Sequence, residues 1–275
     1  MTRRIAALLL VLVPFAASAG AQTGTHASNG NPPATNAGTF QVEPVKELRK
    51  GVDMWPLIVN PGNPAEQRVN AILTRLNGRL TQALKTCDAQ VLEQSKQMGD
   101  TAKGKDPTSG DWSRKVEVTM YGPRFLSFLA TDESFCGGAY PDSDQMALVF
   151  DMTTGAPVNW MELVAKAAGA STYTDTVTDG STLGALILPA LQTMNLAAAD
   201  PGCKDAFQDP QSFLLWPDSR NGTLVAKTFD LPHAAQACAN QINLTIDQAR
   251  KLGFSESLLV AIEQANRQTQ VTPKP

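Results

Sequence analysis

Apolar residues recur three or four positions apart along Val69, Ile72, Leu73, Leu76, Leu80, Leu84, Val91 and Leu92, with Gln, Arg, Asn and Lys between them. That period draws one apolar stripe down a long helix, opened by Asn63-Pro64 and expected to break near Cys87. The pattern then changes. Lys115 to Tyr121 alternates as K-V-E-V-T-M-Y, and Phe125 to Ala130 and Met146 to Asp151 are further strand-like runs. The turn Thr153-Thr154-Gly155-Ala156-Pro157 follows the last of these, and Trp160 to Ala167 reads as a short helix. Beyond a Thr-rich polar loop, Ser171 to Thr182, the run Leu183 to Ala198 reads as a second helix carrying Pro189. Phe213 to Trp216 and Thr223 to Phe229 form a hairpin around Asp218-Ser219-Arg220-Asn221-Gly222, where Asn-Gly accommodates positive φ. Ile242 to Ile246 is a short strand, and Asp247 is placed to cap the turn Gln248 to Leu252. A terminal helix, Glu256 to Asn266, follows Ser255 as its N-cap.

Strands grouped between helices and joined by hairpins predict an α+β fold, with antiparallel sheet packed against a long N-terminal helix and further helices. No Gly-rich loop lies between a strand and a helix, which disfavours nucleotide folds, and there is no internal repeat.

The ends of the chain have a different character. Arg3-Arg4, the apolar run Ile5 to Ala17 and the small-residue sites Ala17-Ser18-Ala19 and Ala19-Gly20-Ala21 predict a cleavable signal peptide over residues 1–21. Its apolar run falls short of the ~20 residues of a membrane span and contains Pro14. The longest later apolar window, Leu183 to Ala199, is interrupted by Pro189, Gln192 and Asn195, so no transmembrane anchor is expected. Residues 22–39 are rich in Gly, Asn, Thr, Ser, Ala and Pro and predict a disordered linker. Residues 40–266 are the folded part, one domain or two joined halves over 40–170 and 171–266, and the polar residues 267–275 are a flexible tail.

Charge and cysteines sharpen the compartment. The chain has 23 Lys and Arg against 26 Asp and Glu, and two of the basic residues, Arg3 and Arg4, leave with the leader. A mildly acidic exported protein without a basic patch is no candidate for nucleic acid and suits a cationic partner better. Cys87, Cys136, Cys203 and Cys238 all lie in the exported part and read as two disulfides in the periplasm or medium. The pairing Cys87 with Cys136 and Cys203 with Cys238 is favoured because it joins neighbours within each half, although three connectivities are open.

Chemistry is mostly excluded. Only two histidines occur, His26 in the linker and His233 in Asp230-Leu231-Pro232-His233. A His-rich metal site is therefore impossible, and a Ser-His-Asp triad would have to use His233, which reads as a structural imidazole beside Cys238. No G-x-S-x-G, S-x-x-K or H-E-x-x-H motif is present. The acidic group Asp132, Glu133, Asp142 and Asp144 holds only a fragment of a calcium-loop pattern and reads as a solvated loop. No cofactor or metal is expected. The most distinctive segment is Ser134-Phe135-Cys136-Gly137-Gly138-Ala139-Tyr140-Pro141-Asp142, whose paired glycines permit close approach by another backbone or a ligand.

Here the chain resembles the extracytoplasmic domain shared by the lysozyme-responsive anti-sigma factor RsiV and the peptidoglycan deacetylase PdaC, a family of unknown function marked by a GGAHPN loop. The matching residues are Leu126-Ser127, Gly137-Gly138-Ala139-Tyr140-Pro141-Asp142, Phe150-Asp151-Met152-Thr153-Thr154-Gly155 and Glu162-Leu163. Trp55-Pro56-Leu57-Ile58 and Val69-Asn70-Ala71-Ile72 resemble the family's first strand and first helix. Tyr140 stands where the family has His, and no sigma-binding or deacetylase region accompanies the domain. The resemblance implies the fold and an envelope setting. In the signalling relative the domain recognises lysozyme, a cationic protein.

Three functions follow as expectations. The first is a non-enzymatic exported binding module, recognising lysozyme or a cell-wall glycan through Gly137, Gly138, Ala139, Tyr140, Pro141, Asp142 and Asp144. The second is an envelope enzyme using carboxylates drawn from Asp132, Glu133, Asp142, Asp144 and Asp151. The third is an assembly factor with no small-molecule site.

Overall fold

The computed structural model describes residues 40–98, 110–138, 140–165, 168–176, 182–229, 231 and 233–271, all within one compact unit, Ala37–Pro275. Strand β1 (Gln41–Glu43) pairs antiparallel with β2 (Leu57–Val59), and the long helix α1 (Pro64–Met98) follows. Next comes an antiparallel meander of β3 (Asp111–Tyr121), β4 (Phe125–Phe135), β5 (Asp142–Asp151) and the two-residue β6 (Ala156–Pro157). The second sheet is built from β7 (Ser171–Thr176), β8 (Thr182–Ile187), β9 (Ser212–Asp218), β10 (Thr223–Phe229) and β11 (Gln241–Thr245) in the order β11-β10-β9-β8-β7. Helix α2 (Pro189–Ala198) connects β8 to β9, and α3 (Ile246–Lys251) and α4 (Glu256–Val271) close the chain. The fold is α+β with antiparallel sheet, as the pattern predicts. Among the described residues no helix is long and apolar enough to cross a membrane.

Helix α1 starts where Asn63 Oδ1 accepts from Glu66 N (3.0 Å) while Glu66 Oε2 accepts from Gly62 N (2.6 Å), a reciprocal cap just before Pro64. Its stripe of Val69, Ile72, Leu73, Leu76, Leu80, Leu84 and Cys87 is buried. The side chain of Asn77 bonds both the N–H (2.7 Å) and the C=O (3.0 Å) of Trp55. Asn70 does the same for Ile58 at 2.8 Å each way. Two asparagines, two helical turns apart, thus satisfy the backbone of the segment that enters the core, and burial there is tolerable because each polar group is paired.

The meander is buried on both faces. Leu126, Phe128 and Ala130 of β4, with Met146, Leu148 and Phe150 of β5, pack with the first half of α1 and with Trp55. Phe125 and Leu129, with Ala147 and Val149, point the other way into a core shared with the second sheet, α2 and α4. Period-two alternation therefore supplies two cores from one pair of strands. A bulge between Val118 and Met120 changes sides within β3, so Val116 joins the α1 core and Met120 the other. Strand β9 lies against β3, β4 and β5 and is buried along its whole length.

Several expectations are corrected. Helix α1 runs through Cys87 without interruption. The run from Leu183 is not helical throughout: Thr182–Ile187 is strand β8 and the helix begins at Pro189. Proline lacks the N–H that a helix interior requires and fits its first turn, so it starts α2 instead of lying inside it. Ser171–Thr176, expected as loop, is strand β7, consistent with its β-branched threonines. From Trp160 only one 3-10 turn forms, Trp160–Glu162, capped by Asn159; residues 166–167 lie outside the described residues. Thr245, not Asp247, caps α3, through a capping box with Gln248. Asp142–Gln145, expected as solvated loop, is the first part of β5. Residues 1–39, 99–109 and 272–275, which include the expected leader and linker and the end of the expected tail, lie outside the described residues.

Candidate functional site

The meander strands extend past their apolar segments into polar ends, and cross-strand register assembles these ends into rows. Trp112 pairs with Ser134 and Ser134 with Asp142; two residues further along, Arg114 pairs with Asp132 and Asp132 with Asp144. Both rows share a face with Val116, Ala130 and Met146, because residues two apart lie on one side of a sheet. The face that forms core under the N-terminal part of α1 thus becomes charged under its middle. Between it and Arg79, Leu80 and Ala83 of α1 lies a cleft of about 290 Å³.

Arg114 organises this cleft. Its Nη1 forms an ion pair with Asp132 Oδ2, the two side chains being 6% and 13% exposed. The other carboxylate oxygen of Asp132 accepts from Trp112 Nε1 at 2.9 Å. The guanidinium also stands 4.8 Å over the Trp55 ring. Its backbone is fixed by Arg114 N to Gly51 O at 2.9 Å and by Asp53 N to Arg114 O at 3.0 Å. Arg114 Nε is buried without a hydrogen-bond partner among the described residues.

Asp144 faces Asp132 across the strand pair, where directly opposed carboxylates are unfavourable. The Asp144 side chain is exposed at the cleft wall, yet the desolvation of its carboxyl group by nearby protein raises its pKa. The bond from Gln145 N lowers it, the charges of Asp132 and Asp142 raise it further, and Arg114 lowers it.

The Gly137-Gly138 loop is built against the other end of α1. Both glycines have positive φ, 87° and 110°. A side chain on Gly137 would collide with Gln94, whose Oε1 accepts from Gly138 N at 3.2 Å. The Cys87–Cys136 disulfide fixes the same loop to the helix, and Cys203–Cys238 forms the second bridge. A side chain on Gly110 would occupy the position of Cys87 Sγ. Tyr140 is 71% exposed, and Ala139 lies outside the described residues. Gly137, Gly138, Tyr140 and Pro141 line neither cleft described here, whereas Asp142 and Asp144 line both.

The second cleft, of about 460 Å³, lies on the other side of the β5 start. Ser143 and Gln145 wall it on one side and Lys227, Thr228 and Phe229 of β10 on another, with Gln236 from the 3-10 turn His233–Cys238. Partial burial lowers the pKa of Lys227. The His233 side chain is not among those described.

Of the five carboxylates considered for chemistry, Asp132, Asp142 and Asp144 converge on the smaller cleft. Glu133 does not: it pairs with Ser113 and Ser143 on the opposite face. Asp151 is also separate, accepting from Thr153 N (2.8 Å) and Thr153 Oγ1 (2.6 Å) in the β5–β6 turn. No metal-ligand group of three acidic, His or Cys residues forms among the described residues. Sequence reasoning missed Trp112, Arg114, Arg79 and Lys227. The usable signal was the W-S-R alternation immediately before the apolar part of β3, in phase with it.

No protein-family model matches the chain, and no curated protein matches it in sequence. Two solved structures of DUF3298 family proteins are similar to it in fold. One, from Bacteroides fragilis NCTC 9343, is 12% identical with a TM-score of 0.48, over 82% of this chain and 97% of that one. The other, from Pseudomonas aeruginosa PAO1, is 10% identical with a TM-score of 0.44, over 80% of this chain and 95% of that one. These structural neighbours carry the DUF3298 name, a domain of unknown function, and neither bears the RsiV or PdaC name.

Proposed function

We propose that the protein is an exported, non-enzymatic binding module of the cell envelope whose ligand is a cell-wall glycan held at the polar end of the meander. The observation that carries this reading is one cleft that combines the partly exposed Trp112 with Asp132, Asp142, Asp144 and Ser134. A sugar offers an apolar face to an aromatic side chain and a ring of hydroxyls to carboxylates, so this lining is complementary to it. The Arg114–Asp132 pair is held on several sides and gives the cleft a preorganised floor. Purified protein mixed with insoluble peptidoglycan should cosediment with it, and Trp112→Ala should weaken retention by about tenfold. Retention of lysozyme but not peptidoglycan would replace the glycan by a cationic protein; retention of neither at low ionic strength would remove the binding module.

One observation favours a second reading. Asp132 and Asp144 are direct cross-strand neighbours, a placement that puts their Cβ atoms about 5 Å apart. Arg114 is ion-paired with the first while the pKa of the second is raised by burial, and unlike environments for two neighbouring carboxyl groups mark acid and base pairs in glycosidases. Both oxygens of Asp132 are already engaged, which favours binding over attack. Release of reducing ends from peptidoglycan, lost in Asp144→Asn, would reverse that preference.

A further inference from the structure

The larger cleft differs in chemistry from the smaller one. Its wall on β5 presents Asp142 and Asp144, while Lys227 reaches it from β10. Lys227 is half-buried and forms no ion pair or hydrogen bond among the described residues. A lysine taken partly out of water without a counter-charge is unfavourable, and an incoming anion would relieve that cost. Gln145 adds a second unfilled group: its Nε2 donates to Thr131 Oγ1 at 3.1 Å, but its Oε1 is buried without a donor. The backbone supplies a third. Strand β5 is paired with β4 from Asp142 to Asp151 but with β6 only at Phe150 and Asp151. Among the described residues, the other edge of its first half therefore has no strand neighbour in the sheet. An unpaired edge presents N–H and C=O groups at the spacing of an extended peptide.

We propose that the larger cleft binds a short peptide with both ends free, its carboxylate on Lys227, its ammonium group on the Asp142 and Asp144 wall, and its backbone along the open edge of β5. The charges stand on different strands, and the space, about 460 Å³, accommodates a ligand of a few residues. A neutral sugar would leave Lys227 uncompensated, and a simple anion would leave the acidic wall unused. This inference adds a second ligand class to the binding-module reading but does not depend on a sugar in the smaller cleft.

The test uses three probes without sugar, in calorimetric titrations of the purified protein: alanyl-alanine, its N-acetyl derivative and its C-terminal amide. The free dipeptide should bind, and blocking either end should weaken binding by about tenfold or more, the size expected for loss of one charge-assisted hydrogen bond. Lys227→Gln should abolish the preference for the free carboxylate and leave the preference for the free amine. Asp144→Asn with Asp142→Asn should do the reverse. Equal binding of all three probes, no binding by any of them, or loss of both preferences in one variant with an unchanged Tm would overturn the proposal. Peptidoglycan retention in the Lys227→Gln variant reports separately on the glycan reading.

Discussion

The two ends of one sheet face show how the same local rule yields a core and a cleft. At the closed end, Val116, Phe128, Leu148 and Phe150 meet the first half of α1 and pack with Trp55. At the open end, the same strands, in the same phase, present Trp112, Arg114, Asp132, Asp142 and Asp144 to the middle of α1. Alternation decides which residues face the helix, and residue type alone decides whether the gap closes. Apolar side chains exclude water and bring the layers together. Charged ones leave a cleft beside the Val52, Leu80 and Leu84 cluster on which Trp112 packs, and the disulfide from Cys87 to Cys136 keeps the open end attached to the helix.

The largest predicted break is at the closed end. Phe128→Ala should destabilise by about 3–5 kcal/mol, because a fully buried ring leaves a cavity, and a denaturant midpoint measures it. At the open end, Arg114→Ala should destabilise by a comparable 3–5 kcal/mol, by leaving Asp132 buried and unpaired. The double variant Arg114→Met, Asp132→Leu should recover most of that loss and abolish ligand retention, which separates the stability of the open end from its use. Replacing Cys87 and Cys136 by Ser should lower stability by about 2–5 kcal/mol. Limited proteolysis should then cut first at the Gly137 to Pro141 loop and leave the second sheet intact. Gly110→Ala should cost about 1–3 kcal/mol through the clash at Cys87 Sγ, and less in the protein lacking that disulfide.

The closed end was legible in the sequence. The helical stripe of α1 and the alternation in β3 to β5 are carried by apolar residues, whose burial is the dominant signal that a sequence offers. Both disulfide pairings and the Asp218 to Gly222 hairpin were legible too. The open end was not, because its strands continue in polar residues. Asp142–Gln145 looks like loop when only hydrophobicity is counted, although Asp142, Asp144 and Met146 keep the phase of Leu148 and Phe150. Trp112 and Arg114 were missed for the same reason. The clamp by Asn70 and Asn77 was also hidden, since an asparagine on a helix acquires meaning only when a backbone segment lies against it.

The smallest predicted effect concerns pH. A carboxyl whose folded pKa is raised favours folding fully below its ordinary value of 3.8, and that contribution is lost as pH rises through the folded value. Asp144→Asn should therefore be slightly more stable than the parent at neutral pH, with no difference in strong acid. Thermal unfolding of both proteins across that range checks the sign; a parent that gains stability relative to Asp144→Asn as pH rises would contradict it.

The central claim is that the open end is the ligand surface and the closed end only a support. The most direct test is amide chemical-shift mapping during titration with solubilised peptidoglycan fragments. The account predicts shifts at Trp112 to Arg114, Asp132 to Ser134 and Asp142 to Gln145, with Phe128 and Leu148 unmoved. Shifts confined to the far face of the second sheet, or none at any fragment concentration, would contradict it.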